Sequence, residues 1–202
     1  MTPIRTICLR LRRRAFELRG NTEGLAAVEF AMIIPLMAML LLGTYEFSTG
    51  VAIDRKVTIM ARTLSDLTSQ NTAVSNDKLN NFFNAATSIM TPYDSAPVQS
   101  TITELYVNPT TMKARVQWSL SKGATARNKG EIVEIPDALK IAGTYLIYSE
   151  VKYKYVPSVA WFINKTNGIT LTDTSLTRPR QALCVVYPAP ANGANMPACP
   201  TD

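Results

Sequence analysis

The residue most at odds with its surroundings is Glu29. It is the only charge in the run from Leu25 to Thr44, LAAVEFAMIIPLMAMLLLGT. A carboxylate inside such a run costs at least about 2.5 kcal/mol by insertion scales and marks function by default. A cation should meet it, and the run contains none. Cutting the chain between Gly24 and Leu25 would supply one, because the new amino group on Leu25 would lie four residues, one helical turn, from Glu29. Glycine at position 24 lets a peptidase approach the backbone closely. Phe30 would open a packing face beside the pair. Pro35 removes a backbone hydrogen bond and loosens the helix locally, which a membrane tolerates when neighbouring groups compensate.

Other chemistries are thinly supplied. The chain has no histidine, which removes the usual general base at neutral pH, the Ser-His and Cys-His pairs, and the commonest metal ligand. No spacing of Asp and Glu nominates a carboxylate pair for glycoside hydrolysis. The expectation is a protein that is not an enzyme, with no metal and no cofactor. Lys122, Arg127 and Lys129 lie in a polar stretch without the glycine-rich cradle of a phosphate site, and read as a solvated loop. Cys8 stands in the basic leader, while Cys184 and Cys199 stand late in the chain. In an oxidising compartment that late pair is a disulfide candidate closing a loop of about 16 residues, worth roughly 3 kcal/mol in the chain-entropy model. The alternative is two unpaired thiols.

The element that must carry Glu29 is a helix. About twenty residues at 1.5 Å each reach roughly 30 Å, the thickness of a bilayer core. Arg5, Arg10, Arg12, Arg13, Arg14 and Arg19 precede the span against Glu17 and Glu23, and hold most of the net charge of +6. Arginines on that side place the N-terminus in the cytoplasm and everything beyond about residue 46 outside it. A secretory signal would have a shorter apolar core and small residues at a cut site, whereas GTYEFSTGVAIDRK follows here. Arg13 and Arg14 spell a twin-arginine pair, but the run behind them is too long and too apolar for that export signal. With the excess charge in the leader and the rest nearly balanced, no nucleic-acid partner is expected.

Gly24, Leu25, Ala26, Ala27, Val28, Glu29 and Phe30 resemble the prepilin-peptidase motif of type IV pilins and pseudopilins. The wider stretch RGNTEGLAAVEFAMIIPLMAMLLLGTYEFSTG is similar to the TadE-like segment of tight-adherence (Tad/Flp) pilus systems, through Val28, Glu29, Phe30, Ala31, Pro35, Leu41, Leu42, Gly43, Glu46 and Phe47. SEVKYKYVP and LTRPRQA resemble the end of TadE-like ectodomains more loosely. The resemblance implies a prepilin-peptidase substrate that acts in pilus biogenesis, adhesion and surface attachment. Its implied partners are that peptidase, other pilins or pseudopilins, inner-membrane Tad assembly proteins and the lipid bilayer. The chain would sit in a bacterial inner membrane with its C-terminal domain periplasmic or extracellular. The other reading is an uncleaved, membrane-anchored envelope binding protein.

Beyond the span, Val57, Met60, Ala61 and Leu64 keep helical spacing, so the helix should continue to about Leu67. Ser75 or Asn76 can cap a second helix with a stripe of Leu79, Phe82, Phe83, Ala86 and Met90, ending before Pro92. Strands are predicted over 99 to 107 and 111 to 120, turning at Asn108, Pro109 and Thr110, with Met112, Ala114, Val116, Trp118 and Leu120 on one face. A third is predicted over 144 to 156, with Val151, Tyr153 and Tyr155 opposite Glu150, Lys152 and Lys154. Segments 169 to 176 and 180 to 187 are further strand candidates after a turn at Thr166, Asn167 and Gly168. The fold class is therefore α+β, pilin-like: a long N-terminal transmembrane helix, a second helix, and an antiparallel sheet of about four or five strands. Three regions follow: a leader over 1–24, the helix and its extension over 25–67, and an exported domain over 68–202 with a Pro/Ala-rich tail.

Overall fold

The computed structural model describes residues 24–157, 168–191 and 195–201. The leader before Gly24 and the Thr166 and Asn167 part of the predicted turn lie outside these residues. Helix α1 runs Leu25–Ser69, continuing through Pro35. Helix α2 runs Asn76–Thr87 and tightens into a 3₁₀ turn over Ser88–Met90. Five strands follow, β1 (Val98–Val107), β2 (Ala114–Lys122), β3 (Ile132–Val133), β4 (Tyr145–Tyr155) and β5 (Ile169–Thr177). They form one antiparallel sheet in the order β3-β2-β1-β4-β5, which is the α+β class expected.

Chain contacts separate two units, Met1–Phe47 and Ser48–Asp202. In the second unit the later half of α1 packs through Ile53, Val57, Met60, Ala61 and Leu64, and α2 through Leu79, Phe83 and Ala86. Both stripes meet the sheet at Ile102, Trp118, Ile147, Val151 and Tyr153. Polar contacts set the direction of this half of α1 along the sheet. A side chain at Gly50 would meet the Tyr155 ring, Thr58 donates to Asp173, Ser149 donates to the Ala61 carbonyl, and the Ser65 and Thr177 hydroxyls bond at 2.6 Å. The helix thus runs parallel to β5, with Gly50 at the end where β4 stops and β5 starts.

The α2 cap is Ser75, whose hydroxyl accepts the Lys78 N–H at 3.3 Å, with Asp77 in the first turn. Ser75→Ala should cost about 1 kcal/mol, read as a lower denaturation midpoint with an unchanged denaturant slope. An unchanged midpoint would mean that packing alone holds the helix start.

The structure corrects three strand expectations. The Asn108 side chain accepts the N–H groups of Thr110 and Thr111, and Met112 takes φ 54°, so the β1–β2 connection extends to Lys113 and β2 starts at Ala114. The alternation along β2 does not keep one face. Glu104 pairs with Trp118 but Leu105 with Val116, so Gln117 is an extra residue in a bulge. Ala114 and Val116 pack with Leu105, Val107, Val133 and Leu146 on the side away from the helices, while Trp118 and Leu120 pack towards them. Finally, residues 180–187 form no ladder strand. Only an isolated parallel bridge joins Ala73 to Val186.

Candidate processing and assembly segment

Leu25 and Glu29 both lie in the first turns of α1, four residues apart, and the Val28 N–H donates to the Gly24 carbonyl at 3.2 Å. The described chain thus already has helical backbone from the predicted cut. Gly24, Leu25, Glu29, Phe30 and Pro35 are all exposed, as is every residue from Gly24 to Tyr45. Phe30 is 63 % exposed and Leu25 59 %, and their neighbours Val28, Met32, Ile33 and Ile34 are exposed too. So large a continuous apolar surface marks a lipid or protein contact. Within it Pro35 leaves the Ala31 carbonyl without its helical N–H partner. Among the described residues α1 is the one helix long and apolar enough to cross a membrane, with a mean hydropathy of 2.4 over its most apolar 18 residues.

Cys184 and Cys199 form a disulfide, with Cα atoms 5.8 Å apart and Cys184 buried. They belong to a tail that straps the end of α1 to the sheet. On the helix side, Val186 N–H donates to the Thr72 carbonyl, Val74 N–H to Val186, Ala189 N–H to Val74, and Arg180 N–H to Ser69. On the sheet side, the Val185 N–H donates to Glu104 Oε1 at 2.6 Å, the Trp118 indole donates to the Val185 carbonyl at 2.7 Å, and the Tyr145 hydroxyl donates to the Pro200 carbonyl at 2.7 Å. Side chains here take the backbone groups that a strand ladder would have used. That is why 180–187 is not a strand.

Glu104 is the buried charge that sequence reasoning missed. It is fully buried, and its Oε2 has no hydrogen-bond partner among the described residues. Burial pushes its carboxyl up to about 7, against the pull of the Val185 N–H and Trp118. Its only signal in the sequence is a charge at a core-facing strand position.

The basic loop is pinned rather than open to an anion. Arg127 bonds Glu150 at 2.7 Å and Glu131 at 3.3 Å beside a groove of about 590 Å³ that Gln99, Thr101 and Lys152 also line. Lys129 is exposed and Lys122 donates to Asn84. No group of His, Cys, Asp and Glu among the described residues could hold a metal ion.

A membrane-compatible helix with a lone carboxylate near its start, followed by an α+β unit, defines a candidate membrane-anchored α+β protein. Residues 24–63 match the family model described as TadE-like protein. The TadE-like resemblance therefore holds over about a fifth of the chain, and it connects the protein with Tad pilus-related processes. No curated protein and no solved structure matches the chain.

Proposed function

We propose that this protein is a minor pseudopilin or assembly factor of a Tad-type, type IVb-like pilus, acting in biogenesis and surface attachment by association rather than catalysis. Prepilin peptidase removes residues 1–24 in the cytoplasm or at its membrane face. The helix from Leu25 then stays in the inner membrane and packs with pilins, pseudopilins or inner-membrane Tad assembly proteins, while the rest of the chain lies outside the cytoplasm. The carrying observation is that the TadE-like match begins at Gly24 and covers Glu29, Phe30 and Pro35. An amino group created at Leu25 would stand one turn from Glu29, in its own or a neighbouring subunit, inside a surface dominated by apolar side chains. Buried polar pairs of this kind fix which helices associate and in which register.

Mass spectrometry of the membrane fraction tests this, with and without the host's prepilin peptidase. A mature terminus at Leu25 that depends on the enzyme is expected. An intact Met1, or a cut beyond Gly43, would replace this reading with an uncleaved anchored binding protein or a secreted domain. In the processed protein, Glu29→Gln should cut incorporation into pili or assembly complexes by about tenfold or more, the factor set by about 1.4 kcal/mol. The denaturation midpoint of the Ser48–Asp202 unit should not move. Normal assembly by the variant would remove Glu29 from the mechanism.

A further inference from the structure

Within the Ser48–Asp202 unit, the face of the sheet turned away from the helices is divided in two. At one end Leu105 and Val107 of β1 and Leu146 of β4 are covered by Val133 and Ile135 from the chain beyond β2. Towards the start of β1 the same face carries Gln99 and Thr101, which pair across the ladder with Lys152 and Glu150. These four residues floor the groove of about 590 Å³, and the chain leaving β2 walls it with Thr125 and Arg127. The volume falls within the roughly 300–1,000 Å³ of small-molecule sites. The wall is fixed by its own contacts. Gly123 takes φ 75°, and a Cβ there would stand 2.8 Å from the Val98 carbonyl oxygen, so glycine lets the chain turn this close to β1. The Ser121 hydroxyl donates to the Ala124 carbonyl, and the Arg127 N–H donates to the Ser119 hydroxyl at 3.2 Å. The Arg127 guanidinium lies 5.6 Å from the centre of the Tyr148 ring.

The lining selects the ligand by what it offers. Arg127 and Lys152 both bridge to Glu150, and Glu131 takes a second bond of Arg127, so two cations meet two carboxylates and the fixed charges cancel. A simple anion gains little there. Among the described residues no aromatic or branched aliphatic side chain lines the groove, which leaves an apolar ligand or a stacked base nothing to pack on. Both β1 and β4 have a strand on each side, so neither has a free edge to take up a peptide as an added strand. What remains is a dense set of donors and acceptors: the Gln99 amide, the Thr101 and Thr125 hydroxyls, the Glu150 carboxylate and the Lys152 ammonium. Each hydroxyl of a polyol both donates and accepts, and planar amide and carboxylate groups can hold two neighbouring hydroxyls at once.

We propose that this groove binds a short stretch of a neutral saccharide chain through Gln99, Thr101, Thr125, Glu150 and Lys152. Gln99 and Thr125 are exposed and reach the ligand from the floor and the wall. Glu150, held by Arg127 at 2.7 Å and Lys152 at 3.0 Å, accepts from its hydroxyls. Such a ligand gives the surface attachment of the proposed function a molecular contact. The site needs neither cleavage after Gly24 nor anchoring by α1, so each reading can fail without the other.

The test titrates the full chain, in a zwitterionic detergent without a sugar headgroup, with cellotriose, maltotriose and triacetylchitotriose, followed by calorimetry. Saturable binding of at least one of them is expected, with a Kd of about 1 mM or tighter. Gln99→Ala with Thr125→Ala, both at exposed positions, should weaken it about tenfold while the thermal midpoint stays where it was. Because the fixed charges cancel, about 0.5 M salt should change the Kd by less than about twofold. No saturation by any of the three up to about 10 mM overturns the proposal, and so does binding that the double substitution leaves intact. Tighter, salt-sensitive binding of a galacturonate trimer would make this an anion groove. Preferential binding of a neutral Gly-Ser peptide would make it a peptide groove, and either result overturns the saccharide.

Discussion

Replacing Cys184 and Cys199 together by serine is expected to lower the stability of the folded unit by about 3 kcal/mol, the loop-closure value for a loop of this length. The loss should be local in its first effects, because the tail is also held by the Val186, Val74 and Ala189 backbone bonds to the connection that follows α1. Urea denaturation of the full chain in detergent gives the free energy. Amide hydrogen exchange gives the location, with Val186 and Ala189 losing protection before the β1–β4 ladder does. A loss under about 1 kcal/mol would mean that the noncovalent strap already orders the tail and that the bond adds little.

A second large effect is expected from pH, through Glu104. Its carboxyl is raised from 4.5 to about 7 by burial, so the folded state holds the proton more tightly than the unfolded chain. The stability this contributes is fully present below about pH 4.5 and is lost as pH rises through about 7. At 1.36 kcal/mol per pKa unit the loss is about 3 kcal/mol, as an order of magnitude. Glu104→Gln keeps an oxygen to accept the Val185 N–H but cannot ionise. The difference in unfolding free energy between wild type and variant, measured at about pH 4.5 and about pH 8, should therefore shift by about that amount in the variant's favour. A difference that stays constant across this range would show that Glu104 is not the titrating group.

The two effects meet in one place. Glu104, Trp118 and Tyr145 reach the tail from three neighbouring strands, and the disulfide closes it on itself. Ionising the carboxylate leaves a desolvated charge beneath the tail even though its bond from the Val185 N–H favours the charged form, and opening the disulfide frees the tail from the other side.

Local pattern determined a good deal of this protein. Hydropathy and length alone define the helix from Leu25, because twenty apolar residues satisfy a bilayer without any tertiary partner. The 3.6-residue spacing of Val57, Met60, Ala61 and Leu64, and of Leu79, Phe83 and Ala86, already identified the buried faces of both helices. Strand β4 was equally legible, since its alternation runs unbroken from Ile147 to Lys154. The position of Glu29 relative to Gly24 is also a matter of sequence spacing. Only the tertiary structure decided the rest. The bulge at Gln117 reverses the facing of Trp118 and Leu120, which an uninterrupted alternation cannot reveal, because an inserted residue is defined by its partner strand. The tail looked like a strand by composition, but its backbone groups are taken by Glu104 and Trp118, residues 81 and 67 positions away. Glu104 itself reads as an ordinary strand carboxylate until the tail covers it. Desolvation depends on what a distant segment packs against, and no local window contains that information.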